Sequence, residues 1–250
     1  MIWNETEGKR GANEIGTCMT TYLSSLSPVI NHVTLYSDNC GGQNKNKFFA
    51  AAMISALLSS DHIDMIDHKF LERGHTHMEV DSIHAAVEYA KKSIPVFVPS
   101  DWETVCRLAR KHKRAYSVLC LSHKDFIDYK SMATSFPVIN LIPWKGIVWR
   151  WYMKHDSEQI PTLMDKSNYN DDFKVLSTKT TRNTQVTLKK RLYKARLPIS
   201  EVKKTDLLAL CRDGTIPPLY HPFYESLPTA ASSEDRIPVP EDNETSDDEE

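Results

Sequence analysis

The feature that most constrains the fold is a strand that runs into a glycine turn and then into a helix. Residues 29–36 alternate apolar and polar side chains with β-branched neighbours, which predicts a buried strand ending at Asp38. Turn-forming residues follow, and the apolar side chains of residues 44–59 then recur at intervals of three and four, as in an amphipathic helix. The order recurs with a strand at 62–71 and a helix at 81–92. This repeat predicts an α/β fold.

The same periodicities predict several further elements. We expect helices at 9–27, at 200–211 behind the capping residue Ser200, and from an N-cap at Asp101 to about Arg114, and a strand at 116–121. Short β-like runs at 138–142, 147–152 and 173–176 predict a small β-rich appendage, with Trp144, Trp149 and Trp151 in its core.

These elements predict three consecutive regions. Residues 1–125 form an α/β core, residues 126–228 form the β-rich and helical appendage, and residues 229–250 form a tail. The tail holds nine acids against one base, and a segment of this composition cannot bury enough apolar surface to order itself. The remaining 228 residues hold 30 bases against 24 acids, a mild excess that permits contact with a polyanion.

Composition excludes several classes of protein. No apolar run reaches the ~18 residues of a membrane span, and the N-terminus lacks a secretory signal pattern, so we expect no membrane partner. The five cysteines are odd in number and widely spread, which argues against a disulfide framework and a thiolate zinc site. We therefore expect an intracellular protein, with the nucleus as one candidate location, and the sequence leaves the oligomeric state open.

Two polar clusters could carry chemistry, residues 37–46 and residues 74–84. Asp38 ends a buried strand, and Asp81 begins the helix that follows the next strand. Because polar groups at the carboxyl ends of neighbouring strands converge, these two carboxylates predict a site for Mg²⁺ or Mn²⁺, which prefer oxygen ligands. Both acids are the candidate catalytic and metal-binding residues, and Asn39, Gln43 and Asn44 are candidate supporting residues.

Other roles for these residues stay open. Asp38 and Asp81 could each cap the helix that follows, and the amides could satisfy the turn itself. His75, His77 and His84, together with Asp81, could instead bind zinc in a hydrolase. Metallo-hydrolases with a similar string place the Asp and the last His side by side, and the spacing here departs from that pattern.

The clusters also resemble a known superfamily. The run Ser37-Asp38-Asn39 at a strand end looks like the second catalytic acid of RNase H-like transposases and integrases, and Asp81 on a later helix looks like their third. Residues 2 to about 228 are similar to an uncharacterised transposon-associated domain. The pieces that carry this resemblance are Trp3-Asn4-Glu5, residues 10–15, 37–46 and 74–84, Leu197-Pro198-Ile199-Ser200 and residues 203–208.

The resemblance implies an incomplete RNase H-like mixed sheet flanked by helices. In such folds the first acid lies on a first strand, which has no counterpart before the helix at 9–27, so the chain is predicted to be truncated at its N-terminus. It would be the remnant of a metal-dependent nuclease or transposase that acts on DNA or RNA, with impaired activity. Glu5 is a candidate residual acid. The alternatives are a non-catalytic nucleic-acid or protein-binding module and a His/Asp zinc hydrolase.

Overall fold

The computed structural model describes residues 1–72, 78–110, 115–154, 161–176 and 189–231. Seven α-helices lie in these ranges: α1 (Ala12–Ser24), α2 (Lys47–Ser59), α3 (Glu79–Lys91), α4 (Pro99–Leu108), α5 (Tyr129–Met132), α6 (Glu201–Arg212) and α7 (His221–Glu225). The described strands are β1 (His32–Ser37), β2 (Met65–Phe70), β3 (Trp149–Met153), β4 (Thr162–Lys166), β5 (Lys174–Leu176), β6 (Ile199–Ser200) and β7 (Thr229–Ala230). Three short 3-10 helices occupy Ala133–Ser135, Pro137–Leu141 and Pro218–Tyr220.

The described residues form two compact units, and each is assembled from separated segments. The sheet unit consists of the described residues of Arg10–Thr76 and Ile127–Leu192. The helical unit consists of those of Met1–Lys9, His77–Phe126 and Tyr193–Ile237. The predicted division into consecutive regions differs from this arrangement, because contacts between distant segments define the units. Most of the predicted acidic tail, residues 232–250, lies outside the described residues, and Thr229–Ala230 at its start form β7.

The sheet unit is built on a mixed five-stranded sheet with the order β1-β2-β3-β4-β5. β1 and β2 are parallel, and β3, β4 and β5 continue the sheet with antiparallel pairings. The predicted α/β class is therefore confirmed at the level of a mixed sheet with helices. The strands expected in a separate appendage belong instead to this same sheet.

Side chains alternate between the two faces of the sheet, as the pleat requires. The helix face carries Leu35, Ile66, Tyr152 and Leu163, all of which are buried in one apolar cluster with residues of α2. The opposite face, which we call the aromatic face, carries Trp149 and other residues described below. The core of the unit thus lies between the sheet and α2.

Helix α2 is the central helix of this core, and its residues 49–57 are all buried. Its close packing against α1 favours a glycine, because a Cβ atom on Gly16 would lie 3.0 Å from the Cβ of Ala52 and 3.2 Å from the Tyr129 ring. At the far side of this contact, the hydroxyl groups of Tyr129 and Thr20 are 2.8 Å apart and buried, so they satisfy one another.

The helical unit confirms one predicted cap and corrects another. Ser200 caps α6, since its hydroxyl accepts a hydrogen bond from the amide of Lys203 at 3.1 Å. Asp101, predicted as an N-cap, is the third residue of α4, and its carboxylate accepts the amides of Phe97 and Val98. Pro99 explains the shift, because proline favours the first helical position.

Two predicted strands are wrong. Residues 116–121 are irregular, and Cys120 makes an isolated bridge to Ile2. Residues 137–141 form a 3-10 helix, which Pro137 favours by fixing φ at the first position.

No helix among the described residues is both long enough and apolar enough to cross a membrane.

Candidate functional site

Asp38 begins the loop at the carboxyl end of β1, beside the parallel strand β2. One carboxylate oxygen, Oδ1, accepts a hydrogen bond from the side-chain amide of Asn44 at 2.7 Å and from the backbone amide of Cys40 at 3.3 Å. Both contacts described for the carboxylate go to this oxygen. The loop therefore fixes the orientation of Asp38 through one oxygen atom and leaves the helix-capping role to another residue.

That residue is Asn46. Its side-chain oxygen accepts the amides of Phe48 and Phe49, each at 2.9 Å, and its side-chain nitrogen donates to the carbonyl of Gly41 at 2.7 Å. Asn46 is thus the N-cap of α2 and closes the loop on itself. The alternative that Asp38 caps this helix is not the arrangement observed.

The amide residues of the loop differ in what they contact. The side-chain nitrogen of Gln43 donates to the carbonyl of Arg10 at 3.3 Å. The backbone amides of Gln43, Asn44 and Lys45 all point to the carbonyl of Cys40. The side-chain oxygen of Asn44 is buried and reaches no hydrogen-bond partner among the described residues. A buried amide oxygen that accepts no hydrogen bond, in the same loop as Asp38, is suited to bind a cation or a hydrogen-bond donor.

Asn39 ties the loop to the end of β2. Its side-chain nitrogen donates to the carbonyl of Leu71, while the amide of Leu71 donates to the carbonyl of Ser37 at 2.8 Å. The ammonium of Lys45 donates to the side-chain oxygen of Asn39 at 2.6 Å. Asp38 is consequently held at the edge where the two parallel strands end, which is the edge that commonly carries sites in α/β sheets.

A buried histidine lies directly beneath this edge. Nε2 of His68 is 2.8 Å from the hydroxyl of Ser37, which also donates to the carbonyl of Asp38. Burial, together with the positive charges of Arg150 and Lys45, lowers the pKa of His68 to about 3. The imidazole is therefore neutral near pH 7 and is a weak base, so the Ser37–His68 pair lacks the activation that a nucleophilic serine needs.

His68, Arg150 and Asp165 form a row of polar residues across the helix face. Arg150 on β3 is the register partner of His68 on β2 and of Asp165 on β4. Arg150 is fully buried, its guanidinium lies 4.6 Å from the Trp144 ring centroid, and its nitrogens reach no hydrogen-bond partner among the described residues. Burial raises the pKa of Asp165, against the opposing charges of Arg150 and Lys174. This row is not predictable from sequence periodicity, because its members come from three strands. Charged residues within strands that are otherwise rich in apolar residues are the signal that the sequence offers.

Glu5, Asp81 and His84 lie in the helical unit. Asp81 is in the first turn of α3 in the helical unit, where its carboxylate accepts the amide of Met78 at 2.9 Å. His84 is an exposed residue of the same helix, and Glu5 pairs with Lys203 at 2.7 Å. His75 and His77 lie outside the described residues. The structure thus brings together Asp38, Asn39, Gln43 and Asn44. Asp81 is the third residue of α3, and the N-cap of that helix is Met78.

A second acid of the N-terminal segment is more firmly held than Glu5. Glu7 contacts Nδ1 of His123 at 2.7 Å and Nε of Arg196 at 3.1 Å within the helical unit. Burial raises the pKa of this carboxyl, but the hydrogen bonds from His123 and the charge of Arg196 outweigh it and leave the pKa below its usual value. This ion-paired cluster ties residues 7, 123 and 196 together.

The donors around Asp38 are suited to a hard cation. A carboxylate and the unpartnered amide oxygen of Asn44 are both oxygen donors, which Mg²⁺ and Mn²⁺ prefer. Across the part of the chain that the structure describes, no group of three or more His, Cys, Asp or Glu side chains is arranged to hold a metal ion.

The fold and this loop define an α/β protein with a polar loop at the carboxyl end of a parallel strand pair. Residues 3–136, just over half of the chain, match the model of the family described as Domain of unknown function (DUF7869). The chain belongs to this family. No curated protein and no solved structure matches the chain.

Proposed function

We propose that the protein is a remnant of a transposon-derived, RNase H-like protein that carries out metal-dependent phosphoryl transfer on DNA or RNA, and that Asp38 is its retained metal ligand. The observation that carries the proposal is the position of Asp38 at the carboxyl end of β1 beside the parallel strand β2. A rigid strand end is the kind of place that holds a catalytic carboxylate within narrow geometric limits.

The loop chemistry supports the same role. Asp38 and the amide oxygen of Asn44 would hold Mg²⁺ or Mn²⁺, and such an ion, when bound, supplies charge neutralisation and water activation at a phosphodiester. Asn39 and Lys45 position the loop against the end of β2. Of the two predicted acids, Asp38 alone is in the sheet unit, so we propose that metal binding is weak and that cleavage is impaired in this copy.

Metal binding and cleavage measured side by side test this proposal. The purified chain is titrated with Mn²⁺ and the bound fraction is read by electron paramagnetic resonance, while cleavage of single- and double-stranded DNA and RNA is followed with Mg²⁺ or Mn²⁺. Asp38→Asn retains a hydrogen-bond acceptor for Asn44 but removes the charge, and Asp61→Asn changes an exposed acid of the same unit. We expect Asp38→Asn to lose Mn²⁺ binding and any cleavage, and Asp61→Asn to match the wild type. Equal Mn²⁺ binding by both variants would sink the proposal.

The zinc-hydrolase alternative depends on His75 and His77, and elemental analysis of the purified chain addresses it. Zinc at about one equivalent that is lost in His75→Ala and His77→Ala would favour the hydrolase over the nuclease. A chain that binds nucleic acid equally well with and without divalent metal, and that never cleaves it, would favour the non-catalytic binding module.

A further inference from the structure

The aromatic face of the sheet carries a row of alternating aromatic and lysine side chains that runs across four strands. Tyr36 pairs in register with Lys69, Lys69 with Trp149, and Trp149 with Lys166. We call these four residues the lysine–aromatic row. With strands ~4.8 Å apart, the row spans about 14 Å.

The two lysines of the row lie against rings. The Lys69 ammonium is 4.1 Å from the Trp149 ring centroid and 5.6 Å from that of Tyr36. The Lys166 ammonium is 4.4 Å from the Phe173 ring centroid and 5.3 Å from that of Trp149. Ring contacts of this kind hold each ammonium in place without neutralising its charge.

Among the described residues, neither Lys69 nor Lys166 forms a salt bridge with a carboxylate. Asp67 lies on the same face, but it is buried, and it is already bonded to Nε2 of His32 and to the indole nitrogen of Trp149, each at 2.6 Å. The row therefore presents two positive charges that remain available to an anion.

Exposed rings flank these charges. Tyr36 is 57% exposed at one end of the row, and Tyr169 is 40% exposed in the loop between β4 and β5. The tryptophans beneath are half-buried: Trp149 is edge-on to Trp151, and Trp151 stacks on Phe173 at 4.2 Å. This differs from the enclosed core predicted for these tryptophans. It leaves a rigid aromatic floor with two tyrosines at its surface.

We propose that the lysine–aromatic row binds single-stranded nucleic acid, with the phosphates at Lys69 and Lys166 and bases stacked on Tyr36 and Tyr169. A charged groove combined with stacking rings is the general arrangement by which proteins bind single strands without reading their sequence. Bases in a duplex are stacked on one another and cannot use these rings. This inference deepens the proposed function, and the connection between the row and Asp38 rests on that function. Tyr36 lies two residues before Asp38, so one end of the row is next to the proposed metal site.

Binding without metal tests this inference separately from the nuclease proposal. The full chain is titrated into a labelled single-stranded oligonucleotide of ~12 residues, as oligo-dT and as oligo-rU, in EDTA, with fluorescence anisotropy as the readout. We compare Lys69→Gln/Lys166→Gln with Lys47→Gln/Lys130→Gln, because Lys47 and Lys130 belong to the same unit and also lie over a ring, that of Phe48.

The expected results are specific to the row. The Lys69→Gln/Lys166→Gln variant should bind about tenfold more weakly, and its log–log salt slope should fall by about 1.4, or ~0.7 for each lost phosphate contact. Tyr36→Ser should also bind about tenfold more weakly while keeping the salt slope. Lys69→Arg/Lys166→Arg should bind as the wild type does, because arginine keeps both positive charges.

Several outcomes would overturn the inference. These are equal losses in the row and control double variants, a preference for duplex over single strand, or no binding by the wild type at low salt. Asp38→Asn should bind the oligonucleotide in EDTA as the wild type does. A chain that binds through the row but shows no metal site at Asp38 would thus refute the nuclease proposal alone.

Discussion

Replacing Asn46 tests whether the loop at the candidate site is held by a helix cap. The side-chain oxygen of Asn46 accepts the amides of Phe48 and Phe49, and Phe49 is only 1% exposed. Asn46→Ala removes this acceptor, and with it both hydrogen bonds, as well as the bond to Gly41. An N-cap lost to alanine costs 0.5–2 kcal/mol, and we expect about 2 kcal/mol because the helix start is partly buried.

Two further variants separate the cap from the bond within the loop. Asn46→Asp retains an oxygen acceptor for both amides, and its charge interacts favourably with the helix N-terminus, but it cannot donate to Gly41. Asn46→Ser retains the cap in a shorter form and also loses that donor. If the cap dominates, unfolding free energies should rank wild type close to Asp, then Ser, then Ala.

Urea unfolding followed by tryptophan fluorescence measures this order, since Trp144, Trp149 and Trp151 all belong to the sheet unit. With a slope of 1–3 kcal/mol per molar urea, a loss of 2 kcal/mol shifts the midpoint by about 1 M. Amide hydrogen exchange at Phe48 and Phe49 should speed up in parallel. A serine variant as unstable as the alanine variant would refute the reasoning, because the Gly41 bond and not the cap would then carry the energy.

Three further predictions concern single groups. The pKa of His68 is about 3 in the folded chain against an ordinary 6.5, so between these values the unfolded chain binds a proton that the folded chain does not. The free energy of unfolding should therefore fall by up to ~1.4 kcal/mol per pH unit as the pH drops through that window. His68→Gln should flatten this slope in urea titrations, whereas His84→Gln at an exposed site should not. Burial raises the pKa of Cys18 to about 11 from 9, so at pH 8 its alkylation by iodoacetamide, read by mass spectrometry, should be at least ~100-fold slower than in the unfolded chain, and equal rates would contradict its burial. Gly8→Ala places a Cβ 2.6 Å from the Phe126 ring and should cost about 1–3 kcal/mol in thermal unfolding, with an unchanged melting temperature as the contradicting result.

Local patterns were sufficient for the order of elements around the site. Helix α1, strand β1, helix α2 and strand β2 all lie within the ranges predicted from periodicity. Within each of these elements the apolar side chains recur at the period of a helix or of a strand, because each element buries one face. The loop that holds Asp38 was predicted for the same reason, since glycine and asparagine mark a turn after a strand.

Partners distant in sequence were not predictable in this way. Residues 116–121 have β propensity, but Cys120 finds only a single bridge to Ile2, and Leu119 remains 45% exposed. A strand needs a neighbour to satisfy its backbone groups, and propensity does not say whether a neighbour exists. Residues 147–152 were predicted as a strand, but their pairing to β2 became visible only in the fold.

The sequence by itself therefore determined the strand–loop–helix that positions Asp38, because propensity and turn chemistry act over a few residues. The tertiary structure decided which side chains surround that loop. It placed His68 and Arg150 beneath it, and it aligned Tyr36, Lys69, Trp149 and Lys166 across four strands. It also gave the cap of α2 to Asn46 and placed Asp81 at the start of α3 in the other unit. Strand register is set by long-range packing, and a shift of one residue in a strand would move all side chains of that strand to the opposite face.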